Sequence, residues 1–480
     1  MDKNIPIKIK NFGSIKEAKL DIKSLTVFIG PNNSGKSYAS LLFHSLTSSN
    51  IKNNISLSKS SIFFDSEYKK IEKLRKFFKK KIFEEISTYV EKEQNKEFNH
   101  FILSSNLLDE IFYKLIELLI TPYLKSNISS LFGKNLDKLV NNNAVEFSIN
   151  YQEVIFTFSN ETFKSLINNV NLPNFNTMLN GRKILRFRDG KLCINMTHPF
   201  FDNRNKSFQD DSLVDMVLNL ILSIIREDLF KNHSYYMPTA KGDLSNYLKF
   251  FTGQNFTITN EDFPYTAGSL AKDLINMNYD EKSIFYDIAR NLENELFTGK
   301  TKVDTSNELP KYSFLRNDGL ELNNKHISSS IAEIRPIILF LKHELKKDDT
   351  IIIEEPESHL NPKNQRIFIK YLIRCINAGL RVLITTHSDY IIDQINNHIM
   401  LNNIKNEKLQ MELRKKHEYL KEDFLDSNLV SVHAFRENND FTFTSHKIEI
   451  TELGIQAEDM NEIASDLYDE SYDIKDYLMR

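Results

Sequence analysis

A glycine-bounded loop near the N-terminus sets the tightest limit on what this chain can fold into. Gly30-Pro31-Asn32-Asn33-Ser34-Gly35-Lys36-Ser37 fits the pattern of a glycine, four free positions, then Gly-Lys-Ser. The apolar, β-forming run Leu25-Thr26-Val27-Phe28-Ile29 precedes it. A helical pattern follows from Lys36, with Leu42, Phe43 and Leu46 on one side. A strand, a tight loop and a helix N-terminus in that order aim backbone N–H groups at an anion. The candidate triphosphate-binding set is therefore Gly30, Asn32, Asn33, Ser34, Gly35, Lys36 and Ser37. In this reading Lys36 reaches the β/γ-phosphates and the Ser37 hydroxyl holds Mg²⁺.

At 480 residues the chain exceeds one compact core and implies two or three lobes. Its net charge of −3 gives no global basic field for nucleic acid. Cys193 and Cys375 sit in apolar contexts and read as small buried hydrophobes, which excludes a disulfide framework. No apolar run approaches the roughly 20 residues of a membrane span, and no signal peptide is evident, so a cytoplasmic location is expected.

Strands are predicted at Ile5 to Lys10 and Lys16 to Ile22, turning at Asn11-Phe12-Gly13-Ser14. The stretch from Asp65 to Phe132 reads as helical, strand-like material returns between Ala144 and Phe158, and Arg182 to Met196 reads as a hairpin turning at Asp189-Gly190. A helix is predicted over Asp211 to Phe230, turns over Asn307 to Asn324, and a helix from Ile327 to Leu345. Gln410 to Asp423 reads as a charged helix. Strand Thr350 to Ile353, helix Pro362 to Asn377 and strand Arg381 to Thr385 imply a buried parallel sheet with right-handed crossovers. The basic run Lys69-Lys70, Lys73, Arg75-Lys76 and Lys79-Lys80-Lys81 reads as a solvated helix face rather than a nucleic-acid contact, because Glu72, Glu84 and Glu85 interrupt it.

Chemistry gathers at the ends of the late strands. Ile351 to Ile353 runs into Glu354-Glu355-Pro356-Glu357-Ser358-His359-Leu360-Asn361-Pro362. Carboxylates at the C-terminal end of a buried parallel strand lie where ligands bind in open α/β sheets. Glu354 is placed to hold Mg²⁺ or its water, and Glu355 to orient the attacking water. The next strand ends in Thr386-His387-Ser388, whose imidazole can hydrogen-bond the γ-phosphate or the water.

Glu-Glu-Pro-Glu-Ser-His-Leu-Asn-Pro followed by Thr-Thr-His-Ser resembles the Walker B, D-loop and switch-histidine block of ABC-type ATPases, above all the OLD-like branch related to SMC and RecF proteins. The opening Lys-Asn-Phe-Gly-Ser-Ile is similar to the start of the same group. The resemblance covers roughly residues 1–50 and 320–400. It implies a signature segment that contacts ATP on another subunit, and Ser328-Ser329-Ser330-Ile331-Ala332-Glu333 stands in the expected place. Ser330 occupies a position where the group usually has glycine. Tyr236-Met237-Pro238-Thr239-Ala240-Lys241 resembles a further stretch, with Lys241 in place of an arginine; Gln152 is the candidate Q-loop glutamine.

The implied fold is α/β: an ABC-type P-loop head with a mostly parallel sheet, an N-terminal antiparallel β portion and a large, mainly helical insertion. The expected division is 1–60 and 321–450 for the head, 61–320 for the insertion and 451–480 for an acidic helical tail. The resemblance implies an ATP- and Mg²⁺-dependent ATPase that closes as a homodimer or higher even oligomer. Its expected partner is a nuclease or toxin from the same operon, as in bacterial antiviral systems such as Septu, PARIS and Gabija. No fused Toprim, HNH or zinc nuclease pattern follows His387. A nucleotide-gated scaffold with little hydrolysis and a DNA-repair ATPase of SMC/RecF type are the alternatives.

Overall fold

The computed structural model describes residues 4–48, 65–92, 100–120, 124, 127–128, 132, 146–151, 154–159, 162–167, 175–179, 182–188, 191–195, 211–229, 232–239, 265–306, 309–456 and 458–479. Gln152, the Asp189-Gly190 turn, Ala240 and Lys241 lie outside these residues. The chain forms two compact units. One comprises Met1–His44, Leu131–Asn143 and Ser234–Arg480; the other comprises Ser45–Ser130 and Ala144–His233.

The first unit opens with strands β1 (Ile5–Phe12), β2 (Ile15–Ile22) and β3 (Leu25–Ile29) and helix α1 (Lys36–Thr47). The second supplies helix α2 (Asp65–Lys92), strand β4 (His100–Ile102) and helix α3 (Ser105–Leu115), which runs into a π-helical turn at Ile116–Ile120. Strands β5 (Glu146–Tyr151), β6 (Val154–Ser159) and β7 (Thr162–Ile167) form an antiparallel meander. Strands β8 (Phe175–Leu179), β9 (Arg182–Arg188) and β10 (Lys191–Asn195) join β4 in an antiparallel sheet ordered β4-β10-β9-β8. Helix α4 (Asp211–Leu229) closes this unit. Helix α2 buries Leu74, Phe78, Ile82 and Ile86, one residue per turn at four-residue steps, and leaves Lys73, Lys76 and Lys80 exposed. Lys73, Lys76 and Lys80 thus lie on the polar face of an amphipathic helix, whereas Arg75 pairs with Asp215 on α4 and Lys81 with Glu110 on α3; the side chains of Lys69 and Lys70 lie outside the described residues. The expected single helical stretch to Phe132 is broken by β4, whose three residues are too few to register as a period.

The first unit resumes with β11 (Ser234–Met237) and helices α5 (Tyr265–Asn276) and α6 (Tyr286–Phe297). A three-stranded antiparallel sheet follows, β12 (Gly299–Asp304), β13 (Lys311–Arg316) and β14 (Glu321–Asn323). This corrects the turn-rich reading of that stretch. The alternation that buries Tyr312 and Phe314 is only six residues long, and Pro310 and Asp318-Gly319 crowd it with turn formers. Next come α7 (Ser329–His343), β15 (Thr350–Glu354), α8 (Pro362–Asn377), β16 (Arg381–Thr386) and α9 (Asp389–Asn403). The unit ends with α10 (Glu407–His417), β17 (Val430–Glu437), β18 (Phe443–Ile448) and α11 (Glu458–Met479). Helix α10 is capped by Asn406 and stops at Glu418, whose left-handed φ of 58° ends it before the expected Asp423.

Within the first unit the main sheet runs β11-β15-β16-β3-β17-β18-β2-β1. Pairings from β11 through to β17 are parallel, as is β18 with β2, while β17–β18 and β1–β2 are antiparallel. The α/β class and the mostly parallel sheet with an antiparallel N-terminal part are therefore observed. Strands β3, β15 and β16 are central, so their residues are buried on both faces; Val27, Ile353 and Ile384 have no exposed area. Such strands cannot alternate polar and apolar residues, which is why their sequences read as continuous hydrophobic runs. The sheet's parallel order brings the C-terminal ends of β3, β15 and β16 side by side.

Candidate functional site

The loop after β3 departs from ordinary backbone at three positions: Gly30 (φ 140°), Asn33 (φ 61°) and Gly35 (φ 98°). Gly30 is required twice over, since an added Cβ would lie 2.6 Å from the carbonyl oxygen of Phe435 in β17. At Gly35 it would lie 2.4 Å from Ile15 Cγ1 at the start of β2. The hairpin β1–β2 thus presses on the loop and fixes its curvature. The Lys36 ammonium folds back over the loop, donating to the carbonyls of Gly30 at 2.9 Å and Pro31 at 2.7 Å.

Loop and strand ends share a cavity of about 720 Å³. Asn32, Asn33, Ser34, Gly35, Lys36 and Ser37 line one side, and Glu355, Thr385 and His387 the other. That volume is of the size that holds a nucleotide-sized ligand. Glu355 adopts a left-handed φ of 43°, unusual for a residue with a Cβ; its N–H is held by the Thr385 carbonyl at 3.0 Å. This bend swings its carboxylate off the strand axis into the cavity. His387 Nε2 lies 4.0 Å from Glu355 Oε1. Burial, aided by the Lys36 ammonium, holds the His387 imidazole below its ordinary value and hence neutral at pH 7.

Glu354 lies one residue earlier, at the end of β15 and 6% exposed. Its Oε2 accepts from the N–H of Thr239 at 3.2 Å and from the Thr239 hydroxyl at 3.3 Å. The Tyr236–Thr239 stretch, suspected from sequence, is thereby placed against the acidic strand end. Ser37 is exposed at the first turn of α1. A hydroxyl and a carboxylate are hard oxygen donors of the kind Mg²⁺ takes, and phosphate oxygens and water complete its shell. No group of three or more His, Cys, Asp or Glu poised for a metal exists among the described residues. A phosphate-borne Mg²⁺ needs only one or two protein ligands, so the donor chemistry of Ser37 and Glu354 suits it, and of the two only Ser37 lines the cavity.

Sequence reasoning gave no role to Glu357. Its Oε1 accepts from the His387 N–H at 2.7 Å and from the Thr386 hydroxyl at 2.9 Å, while Oε2 is buried with no hydrogen-bond partner. Burial pushes its carboxyl up, and the bond from the His387 N–H opposes that shift. Glu357 thus fastens the segment after β15 to the segment carrying His387. Its place in the acidic run was the only sequence signal.

The three serines stand apart. Ser328 caps α7 by accepting from the Ile331 N–H, and Ser329 is exposed. Ser330 donates to the His359 carbonyl at 2.8 Å. None of them lines the cavity around Lys36.

Burial draws the Lys36 ammonium down to about 8, against the pull of Glu355, Glu354 and Glu357. A bound triphosphate favours the charged form and raises that value. Nucleotide affinity is therefore expected to be level below pH 8 and to fall above it, with net proton uptake on binding near pH 8. Titration calorimetry of ATP in two buffers of different ionisation enthalpy checks this; an identical apparent enthalpy in both would exclude the linkage.

A strand, a phosphate-type loop and a helix beside an acidic strand end define a P-loop nucleotide-binding protein. The chain belongs to the AAA ATPase domain family, whose profile it matches over residues 5–392, and is by family an ATP-binding ATPase. Solved structures similar to it include an SMC head domain from Thermotoga maritima, at 9% identity over 93% of this chain and 100% of that one, with a TM-score of 0.35. Another is an SmcHead bound to the C-winged helix domain of ScpA, at 9% identity over 93% and 98%, TM-score 0.39. A third is an Smc head with an extended coiled coil, bound to the C-terminal domain of ScpA derived from Pyrococcus furiosus, at 10% identity over 98% and 100%, TM-score 0.34. Comparison with curated proteins finds no match. Among the described residues no helix is long and apolar enough to cross a membrane.

Proposed function

We propose that the chain hydrolyses ATP with Mg²⁺ in a site completed by a second copy. The observation that carries this reading is the separation just described: Lys36, Glu355 and His387 share one cavity, while Ser328, Ser329 and Ser330 stand outside it. In this reading Lys36 and the loop N–H groups bind the β- and γ-phosphates, and Ser37 and Glu354 hold the cation that neutralises their charge. Glu355 orients the water, neutral His387 senses the γ-phosphate, and Glu357 positions His387. The start of α7 offers the other copy's nucleotide the N–H groups of Ser329 and Ser330 and the Ser329 hydroxyl. The head is assigned to residues 1–60 and 321–450, the insertion to 61–320 and the tail to 451–480. Motif resemblance to OLD-like ATPases supports control of a partner nuclease or toxin in antiviral defence.

Trans-complementation tests the shared site. Lys36→Ala and Ser329→Arg proteins should each be inactive, one lacking the phosphate grip and the other blocking the neighbour's site. Mixed, they form a hybrid dimer with one intact site, and hydrolysis should return to a sizeable fraction of the parent rate. A mixture as inactive as its components would refute assembly in trans.

One bond favours a second reading, that of a nucleotide-gated scaffold. The Ser330 hydroxyl is engaged by the His359 carbonyl rather than open to a ligand. Slow turnover together with ATP-dependent assembly would support it.

A further inference from the structure

Three residues that line the cavity have no part in the phosphate chemistry assigned above. Gly13 and Ser14 come from the turn between β1 and β2, and Tyr38 from the first turn of α1. Their place in the fold gives the cavity two ends. Glu355 and His387 follow β15 and β16, on one side of β3, whereas β1 and β2 lie on the other side, beyond β17 and β18. From that side Ile15, the residue after the turn, presses on Gly35. A triphosphate whose γ-phosphate faces Glu355 and His387 therefore extends its nucleoside toward the turn and Tyr38.

Both parts of this wall are held in place by the rest of the head. Gly13 opens a two-residue turn between the paired Phe12 and Ile15, with a left-handed φ of 59°. The Phe443 N–H donates to the Ser14 carbonyl at 2.8 Å and anchors the turn to β18. Tyr38 is gripped from the side by two buried rings. Phe12 meets it edge-on, with centroids 6.1 Å apart and planes at 75°, and Phe132 lies tilted against it at 6.2 Å. The next residues of α1, Ala39 and Ser40, have no exposed area, yet Tyr38 is only half-buried. Its ring is fixed in direction and still partly open to the cavity.

We infer that Tyr38 is the base-binding residue of this cavity: its ring stacks on the nucleobase of ATP, and the Gly13-Ser14 turn closes the space around the nucleoside. The inference rests on the nucleotide reading above and adds the part of the ligand that the phosphate loop does not serve. Stacking needs no hydrogen bond to the base edge, only a flat face presented at a fixed angle. A ring braced by Phe12 and Phe132 presents such a face with little conformational freedom left to lose on binding.

Titration calorimetry with two ligands tests it. One is the β,γ-imido analogue of ATP; the other is inorganic triphosphate, which has the phosphates and no nucleoside. Tyr38→Leu keeps apolar bulk against Phe12 and Phe132 but has no aromatic face. It should bind the ATP analogue about tenfold more weakly than the parent does, the size of one lost base stack, with triphosphate affinity unchanged. Tyr38→Phe keeps the ring and should bind both ligands as the parent does. Unchanged affinity for the ATP analogue in Tyr38→Leu would overturn the inference. So would an equal loss for both ligands, because the ring would then act through the shape of the phosphate loop. Lys36→Ala keeps the underlying reading separate, since it should weaken both ligands alike. If Lys36→Ala binds both as the parent does, the nucleotide reading fails and the inference fails with it. If binding depends on Lys36 but is indifferent to Tyr38→Leu, the inference alone is overturned.

Discussion

A Glu355→Gln protein is expected to bind ATP as the parent does and to hydrolyse it about 10²–10⁴-fold more slowly, the usual cost of losing a positioned general base. The amide keeps the shape and the backbone bend but cannot accept the proton of the attacking water. Equilibrium binding and phosphate release, measured on the same preparation, separate the two effects. The neighbouring carboxylates make this a discriminating test. Of the three carboxylates only Glu355 lines the cavity; Glu354 is bonded to Thr239, and Glu357 to His387 and Thr386. Unchanged turnover in Glu355→Gln with loss in Glu357→Gln would transfer the base to Glu357.

The second large effect concerns stability. Arg374 on α8 grips Asp423 with two parallel bonds, Nε to Oδ1 at 2.6 Å and Nη2 to Oδ2 at 3.0 Å. Asp423 has no exposed area, and its backbone carbonyl is bonded to the buried imidazole of His398. Arg374→Ala leaves that carboxylate buried without its cation, and is expected to lower unfolding free energy by about 3–5 kcal/mol. Replacing both partners together with apolar residues should cost much less. Denaturant midpoints of the single and paired variants decide it; equal losses would mean that the arginine acts through packing alone.

The parts of the site that were legible in the sequence are those built from neighbouring residues. Gly30 to Ser37 and the doublet Glu354-Glu355 announce themselves because loop chemistry and strand burial act over a few positions. The parallel core was readable because β15 and β16 are buried on both faces and so lose their alternation. The bonds that finish the site were not legible. Thr239 reaches Glu354 across 115 positions, and Glu357 reaches His387 across 30. Nothing in local periodicity reports such pairs; they follow from which strands the sheet sets side by side. The small sheet β12–β14 escaped for a different reason, since its short alternation is outweighed by the turn formers around it.

The short path from His387 to Ser330 has a mechanical consequence. The His387 N–H bonds Glu357, the Leu360 N–H bonds the Glu357 carbonyl at 2.9 Å, and the next residue back, His359, accepts from Ser330. The histidine that would read this copy's own γ-phosphate is thereby tied to the helix that would touch the neighbour's nucleotide. In the paired assembly proposed above, the two nucleotides are then not independent tenants. Loss of phosphate at one pulls on the wall of the other, so firing would alternate between sites rather than occur at random.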